Sequence, residues 1–191
     1  MLYFEDINNY KAVNEQEQAD LLVIKKFISD FKDYSLDRCN PYGHLTASAW
    51  VINKSATKVL LNYHNIYKNW GWLGGHADNI PDLLKVSLKE VNEESGLINI
   101  RPVLKNPISI EILPVSYHIK NDKFVSSHIH YNLTYLIMAN EDDKLTIKPD
   151  ENSGLKWVNI DEVFDFVKEE CMKPIYKKLN DFVKKYYGIK P

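Results

Sequence analysis

Apolar residues near the start of the chain recur every three or four positions, which is the period of one face of an α-helix. The stripe consists of Leu21, Ile24, Phe27, Ile28 and Phe31. We therefore predict a helix over residues 15–31, with Asn14 before it. Residues 33–43 are turn-rich and contain Asn40-Pro41, which predicts a connector. The expected organisation is an N-terminal helical arm at residues 1–40 and a main domain at residues 41–191.

β-Branched and aromatic residues next predict a hairpin, which is followed by a helix. Residues 45–52 and 59–64 have the composition of strands, and a polar turn at 53–58 joins them. A short strand over residues 70–73 leads into Gly74-Gly75. Pro81 suits the first turn of a helix and Gly96 suits the left-handed position after its end, so we predict a helix over residues 82–95.

The second half of the chain alternates again between strand and turn compositions. We predict strands over 108–112, 115–119, 129–138 and 155–158, turns at 121–123 and 140–143, and helices over 161–170 and 174–187. Strands, one helix, more strands and closing helices in this order predict a mixed α/β fold with a layered core.

Composition narrows the class of protein. The chain has 191 residues and a net charge of −2, and it contains no apolar run near the roughly 18–20 residues that span a bilayer. Its first residues do not resemble a signal peptide, so we expect neither membrane insertion nor secretion. Cys39 and Cys171 lie far apart and predict free thiols in a reducing, cytoplasmic location. The near-neutral charge favours a small-molecule partner over nucleic acid.

Three glutamates share one side of the predicted central helix. Glu90, Glu93 and Glu94 fall within an arc of roughly 100°, because helical spacings of three and four return to one face. The adjacent arc, predicted to face the core, consists of Leu84, Leu88, Val91 and Ser95. Like charges at this spacing repel, and a divalent cation such as Mg²⁺ or Mn²⁺ would explain the cluster. An exposed acidic helix surface is the alternative.

The segment GGHADNIPDLLKVSLKEVNEESGL resembles the Nudix box of the Nudix hydrolase superfamily. That box is a glycine, five residues, Glu, seven residues, Arg-Glu, an aliphatic residue, any residue, Glu-Glu, any residue, Gly and an aliphatic residue. Counted from Gly75, the box matches without a gap at Glu90, Val91, Glu93, Glu94, Gly96 and Leu97. It departs at Pro81, where the box has Glu, and at Lys89, where it has Arg. Further segments resemble a Nudix subgroup with a Gly-Gly-His-Ala-Asp loop, so the resemblance covers roughly residues 40–165.

The resemblance implies an α/β/α sandwich around a mixed β-sheet, preceded here by the N-terminal helical arm. It implies a metal-dependent hydrolase that cleaves a diphosphate bond in a nucleoside diphosphate linked to another group. The metal ligands for Mg²⁺ or Mn²⁺ would be Glu90, Glu93 and Glu94. Glu90 or Glu94 would deprotonate water and Lys89 would hold the catalytic glutamate, while Gly74, Gly75 and His76 would contact the ligand. Asp78 or Asp82 could neutralise Lys89 in place of the missing box glutamate.

Other residues carry candidate chemistry of lower specificity. One of His76 and Asp78 could contact metal or substrate while the other stabilises the loop, and Glu111 could be a further metal ligand. His128 and His130, two apart on a predicted strand, would point to one face and could bind phosphate or a metal. Two roles, stacking on a nucleobase or packing in the core, are possible for His44, His64 and the aromatic residues Trp50, Tyr63, Trp70 and Trp72. The lysines of residues 168–185 predict a solvated helix face, and the loops at 65–69 and 119–127 are expected to select the substrate.

Two other functions remain compatible with the sequence. A sensor that binds a nucleotide in a Nudix pocket without cleaving it is compatible with the two departures from the box. A prenyl diphosphate isomerase would need a catalytic cysteine, and Cys39 is not in an evidently suitable setting. The N-terminal helix could pack on its own domain or form a homodimer.

Overall fold

The computed structural model describes residues 2–120 and 122–189. The helices are α1 (Leu2–Asn9), α2 (Glu15–Phe31), α3 (Leu83–Ser95), α4 (Val163–Phe166) and α5 (Lys173–Tyr187), with a 3-10 helix at Lys32–Leu36. The strands are β1 (Gly43–Ile52), β2 (Lys58–His64), β3 (Asn69–Gly71), β4 (Leu73–His76), β5 (Arg101–Pro102), β6 (Ser109–Val115), β7 (His118–Lys120), β8 (Lys123–Val125), β9 (His128–Met138) and β10 (Asn152–Asn159). No helix in this part of the chain is both long and apolar enough to cross a bilayer.

A mixed sheet forms the centre of the molecule, with β1 and β9 at its middle. Its main path runs β10-β2-β1-β9-β5, and β3, β4 and β6 pair with β2, β1 and β9 respectively. β1 is parallel to β9 along its whole length and antiparallel to β4 from Thr46 to Ala49. β7 and β8 form a separate hairpin.

Alternate residues of β1 face two different helical layers, as the period of a strand requires. Leu45 and Ala47 lie in a buried cluster with side chains of α1, α2 and α3. Trp50 and Ile52 lie in another cluster, with Leu179 and other residues of α5. Helices therefore cover both faces of the mixed sheet, which confirms the predicted α/β/α sandwich.

The N-terminal helices pack directly onto this core. The Asn14 side chain accepts a hydrogen bond from Glu17 N at 2.8 Å and caps α2. α1 was not predicted; it is held by Tyr3 N, which donates to the Pro81 carbonyl at 3.0 Å, and by Tyr135, whose hydroxyl donates to Asp6 at 2.9 Å. The domain boundary at residue 40 remains a prediction.

Several predicted elements differ in extent from those observed. The predicted strand over 70–73 is two strands that separate at Trp72, and the strand predicted at 115–119 is divided between β6 and β7. The helix predicted over 161–170 is limited to α4, because residues 167–172 adopt an extended and turn-rich path before α5. Of the turn predicted at 121–123, Asn121 lies outside the described residues and Lys123 begins β8.

Candidate functional site

Residues at its two ends set the length of α3, which packs against β4. The Asp82 side chain caps the helix by accepting from Lys85 N at 3.0 Å. Gly96 ends it in the left-handed region with φ 73°, a conformation that glycine adopts without steric cost. The predicted core face is only partly correct, because Val91 and Ser95 are buried whereas Leu84 and Leu88 are partly exposed. Glu90 and Glu94 occupy the buried side of the helix instead.

Glu94 is the most enclosed carboxylate of the three, with 2% of its surface exposed. Its Oε1 accepts a hydrogen bond from Asn62 Nδ2 at 3.0 Å, and its Oε2 accepts one from Gly74 N at 2.9 Å. Burial raises the pKa of Glu94 to about 8, although the Gly74 N–H opposes this shift. The buried Oδ1 of Asn62 has no hydrogen-bond partner among the described residues. Glu94 is therefore a buried acid that is held against β4.

Glu90 packs against the backbone of Gly75. A β-carbon at position 75 would lie 2.5 Å from the carboxyl carbon of Glu90 and under 3.0 Å from both of its oxygens. Only glycine allows the carboxylate to approach the loop this closely. Burial also raises the pKa of Glu90, with Lys89 opposing the shift. The glycine and the glutamate of the box are therefore coupled by contact.

Lys89 and Glu93 lie at the rim of this site. Lys89 Nζ is 3.2 Å from Glu90 Oε1 and 3.1 Å from Glu93 Oε2, and Lys148 lies 3.5 Å from Glu93. Partial burial acts to raise the pKa of Glu93, but the two lysines hold it below its ordinary value. The three glutamates are thus two buried acids and one at the rim.

The predicted neutralisation of Lys89 by Asp78 or Asp82 is wrong. Asp78 forms an ion pair with Arg38, which lies between the 3-10 helix and β1. Asp82 is occupied as the cap of α3. Lys89 pairs with the glutamates themselves, because it lies on the same helix one and four residues from them.

A cavity of about 650 Å³ opens beside Glu94. Gly74, Gly75 and His76 form part of its wall. Aromatic side chains line it as well: Tyr67, Trp70, Trp72 and Tyr176, together with His64. Trp50, another stacking candidate, is fully buried in the core beneath α5. Cys39 and Cys171 are free, as predicted, and both are exposed; Cys171 also lines the cavity.

Glu111, a predicted further ligand, lies in a buried polar network at the cavity wall. Its Oε2 accepts a hydrogen bond from Asn132 Nδ2 at 2.9 Å, and its Oε1 lies 3.2 Å from Lys178 Nζ. Lys178 also pairs with the fully buried Glu17 at 2.7 Å. Burial raises the pKa of Glu111 while Lys178 opposes the shift.

Lys178 therefore corrects the prediction of a fully solvated lysine face. Its side chain is only 11% exposed, whereas that of the neighbouring Lys177 is 67% exposed. Sequence reasoning missed Glu17 because it stands in the first turn of α2, where an acidic residue is common on a solvent-exposed helix. Its partner on α5 is more than 150 residues away along the chain.

Histidines from the three strands β1, β4 and β9 meet beside the cavity. His44, His76 and His130 form the one group of histidine, cysteine or acidic side chains, among the residues described, whose ligand atoms all lie within 4.8 Å of one another. Glu90, Glu93 and Glu94 are not gathered to that distance. His128 and His130 do share a face, as predicted, and their Nε2 atoms are 3.2 Å apart. Burial lowers the pKa of His44 to about 4, so its ring is neutral near pH 7.

Comparison of the chain with known proteins gives matches in structure. No family model matches the sequence, and no curated protein does. A solved Ap4A hydrolase from C. elegans, in a binary complex, matches with a TM-score of 0.52 at 15% identity over 74% of this chain and 98% of that chain. A hydrolase of the NUDIX family from Clostridium perfringens matches with a TM-score of 0.51 at 21% identity over 73% of this chain and 97% of that chain.

A third match is the NUDIX domain of Shewanella oneidensis NrtR complexed with ADP ribose. Its TM-score is 0.50 at 16% identity, and the match covers 73% of this chain and 87% of that chain. These matches agree with the layered sheet and with the position of α3 against β4. The chain has the fold of the Nudix hydrolases.

Proposed function

We propose that the protein is a divalent-metal-dependent hydrolase that cleaves a diphosphate bond in a nucleoside diphosphate linked to another group. The observation that carries this proposal is the placement of Glu90 and Glu94. Both are buried on α3, one against Gly75 and the other hydrogen-bonded to Gly74 N, beside a cavity of about 650 Å³. The Nudix fold and the nearly complete box support the same conclusion.

The residues present fit a hard divalent cation. Two carboxylates buried near each other repel, and nothing of opposite charge among the described residues contacts Glu94 directly. Mg²⁺ commonly takes only one or two carboxylates and completes its shell with water and substrate phosphates, so Glu90 and Glu94 suffice as a core. Glu93 at the rim would be the third ligand. When bound, the cation would neutralise phosphate charge and make water more acidic.

The chain's own groups would orient the acids for this chemistry. Asn62 and Gly74 donate to both oxygens of Glu94, which fixes the plane of its carboxylate. Lys89 holds Glu90 at 3.2 Å with a single ammonium in place of the two-pronged guanidinium of the usual box. Either Glu90 or Glu94 would accept the proton of the attacking water, and Gly74, Gly75 and His76 would contact the phosphates.

The cavity wall supports a nucleotide as part of the substrate. Trp70 and Trp72 are partly exposed at this wall, beside Tyr67 and Tyr176. Aromatic side chains in such positions can stack on a nucleobase, because every base offers a π-face. Glu94, Gly74 and Gly75 line the same cavity, so the reacting diphosphate would lie beside them while the base stacks on an aromatic ring.

The test is turnover of a substrate panel with and without Mg²⁺ or Mn²⁺. The panel would contain nucleoside triphosphates, nucleotide sugars, ADP-ribose and dinucleoside polyphosphates. We expect metal-dependent release of a nucleoside monophosphate or phosphate, and a fall of roughly 10²–10⁴-fold in Glu94→Gln if that acid acts as the base. The matched control is Glu162→Gln, which removes an exposed carboxylate far from α3 along the chain and should leave the rate unchanged.

Two results would contradict the proposal. Full activity in both Glu90→Gln and Glu94→Gln would exclude these carboxylates from the reaction. If no member of the panel is cleaved while the wild type binds metal and a nucleotide tightly, the sensor becomes the better interpretation.

A further inference from the structure

The strand register brings three imidazoles to one point of the sheet. His44 of β1 lies directly opposite His130 of β9, and His76 of β4 lies opposite Thr46, two residues from His44. Side chains two apart on a strand share a face, and neighbouring strands are about 4.8 Å apart. The ring centroids of the three histidines are accordingly 4.9, 4.9 and 5.0 Å apart, which is nearly an equilateral triangle.

His44 gives a second, independent reason to expect a ligand between these rings. Its side chain is 3% exposed, and neither its Nδ1 nor its Nε2 has a hydrogen-bond partner among the described residues. A buried polar atom without a partner destabilises the folded state, so a ring with two such atoms is unfavourable where nothing binds it. A metal ion would use one of these nitrogens as a ligand. A leucine side chain would fill a similar volume without an unpaired polar atom, yet histidine stands here.

We propose that His44, His76 and His130 bind a transition-metal ion of the zinc class, at a site separate from the carboxylates of α3. Imidazole suits Zn²⁺ and its neighbours in the first transition row, whereas Mg²⁺ prefers oxygen ligands. Two nitrogens on a tetrahedral Zn²⁺ with bonds of roughly 2.0–2.1 Å lie roughly 3.3 Å apart. The ligand atoms here lie within 4.8 Å of one another, so side-chain rotations can close the difference.

The position of the site leaves room for one more ligand. His76 and His130 line the cavity that also contains Glu94. A zinc ion held by three histidines keeps its fourth position open to water or another molecule, and that position would face the cavity. His128, with its Nε2 3.2 Å from that of His130 and its Nδ1 2.8 Å from the Ser126 carbonyl, is placed to orient the His130 ring. The chain would then hold two kinds of metal site at one cavity.

The test measures zinc binding directly and does not depend on catalytic activity. Metal-free protein would be dialysed against Zn²⁺ in excess Mg²⁺, which would occupy the carboxylates, and bound zinc would be counted by elemental analysis. We expect one Zn²⁺ per chain in the wild type and in Glu94→Gln. His44→Phe should weaken binding by more than the roughly 10–100-fold that loss of an outer-shell partner costs. The matched control is His118→Asn, which removes a histidine outside the triangle and should bind as the wild type does.

A second measurement guards against a folding defect. Co²⁺ bound in a tetrahedral nitrogen site absorbs visible light far more strongly than octahedral Co²⁺, so the spectrum reports the geometry. His130→Gln should lose this spectrum as well, with thermal unfolding of both variants checked in EDTA. Unchanged stoichiometry in folded His44→Phe and His130→Gln would overturn the proposal. So would loss of zinc in Glu94→Gln with retention in both histidine variants.

Discussion

The contact between Gly75 and Glu90 makes a quantitative prediction about Gly75→Ala. The added methyl carbon would lie 2.5 Å from the Glu90 carboxyl carbon, whereas carbon atoms in contact prefer about 3.5–4.0 Å. The carboxylate must therefore move by roughly 1 Å. Overpacking of this kind costs about 1–3 kcal/mol, and alanine recovers about 0.4–1 kcal/mol through the unfolded chain where its backbone conformation is allowed. We expect a net loss of about 1–2 kcal/mol in the free energy of unfolding.

A double-mutant cycle isolates this contact. The unfolding free energy would be measured by urea titration in EDTA for the wild type, Gly75→Ala, Glu90→Ala and the double variant. Because Glu90→Ala removes the group that the methyl meets, Gly75→Ala should cost much less in that background. The expected coupling is about 1–2 kcal/mol, well above the roughly 0.3–0.5 kcal/mol scatter of independent sites.

Activity provides the second measurement of the same variant. Displacing a reacting group by about 1 Å can cost roughly 10²-fold in rate, so metal-dependent turnover of Gly75→Ala should fall by that order. An equal stability cost in both backgrounds would refute the reasoning, because the methyl would then meet something other than Glu90. Wild-type turnover in Gly75→Ala would refute its extension to the reaction.

Two further predictions concern buried charges. In EDTA, the unfolding free energy of the wild type should fall as pH rises from 4.5 towards 8. Glu94 has a pKa of about 8 in the folded protein and an ordinary pKa of 4.5 in the unfolded chain, so in this range the folded protein retains a proton that the unfolded chain has released. The unfolding free energy should change by at most about 1.4 kcal/mol per pH unit, and urea titrations of Glu94→Gln should show a flatter dependence on pH. The same pH dependence in Glu94→Gln and the wild type would contradict the assignment of this effect to Glu94. Lys178→Met should cost about 3–5 kcal/mol by leaving two buried glutamates without their cation, whereas Lys177→Met, at an exposed i,i+4 pair, should cost less than about 1 kcal/mol. Thermal unfolding of the two variants measures this difference, and equal losses would show that the buried network is not the cause.

Local sequence signals were sufficient to predict the central helix and its acids. Gly96 and the spacing of the glutamates act within about four turns of chain, and the helical period alone places the acids on one side. The same holds for α2, whose predicted bounds and apolar stripe are confirmed. These elements are determined by residues that are neighbours in sequence.

Tertiary structure decided how deep each charged group lies and which groups meet. Glu94 became a buried acid and Glu93 a rim residue because β4 and Asn62 cover one side of α3 and leave the other to solvent. Lys178 is buried because α2 brings Glu17 to α5. The burial of these side chains depends on contacts between separate elements, so the spacing of residues within one helix or strand does not predict it.

The histidine triangle shows the same division most clearly. The sequence predicted that His128 and His130 share a face, since they are two apart on one strand. Their meeting with His44 and His76 depends on the parallel register of β1 with β9 and the antiparallel register of β1 with β4. Register between strands that are distant in sequence is set by packing of the whole sheet, so only the folded chain could place these rings together.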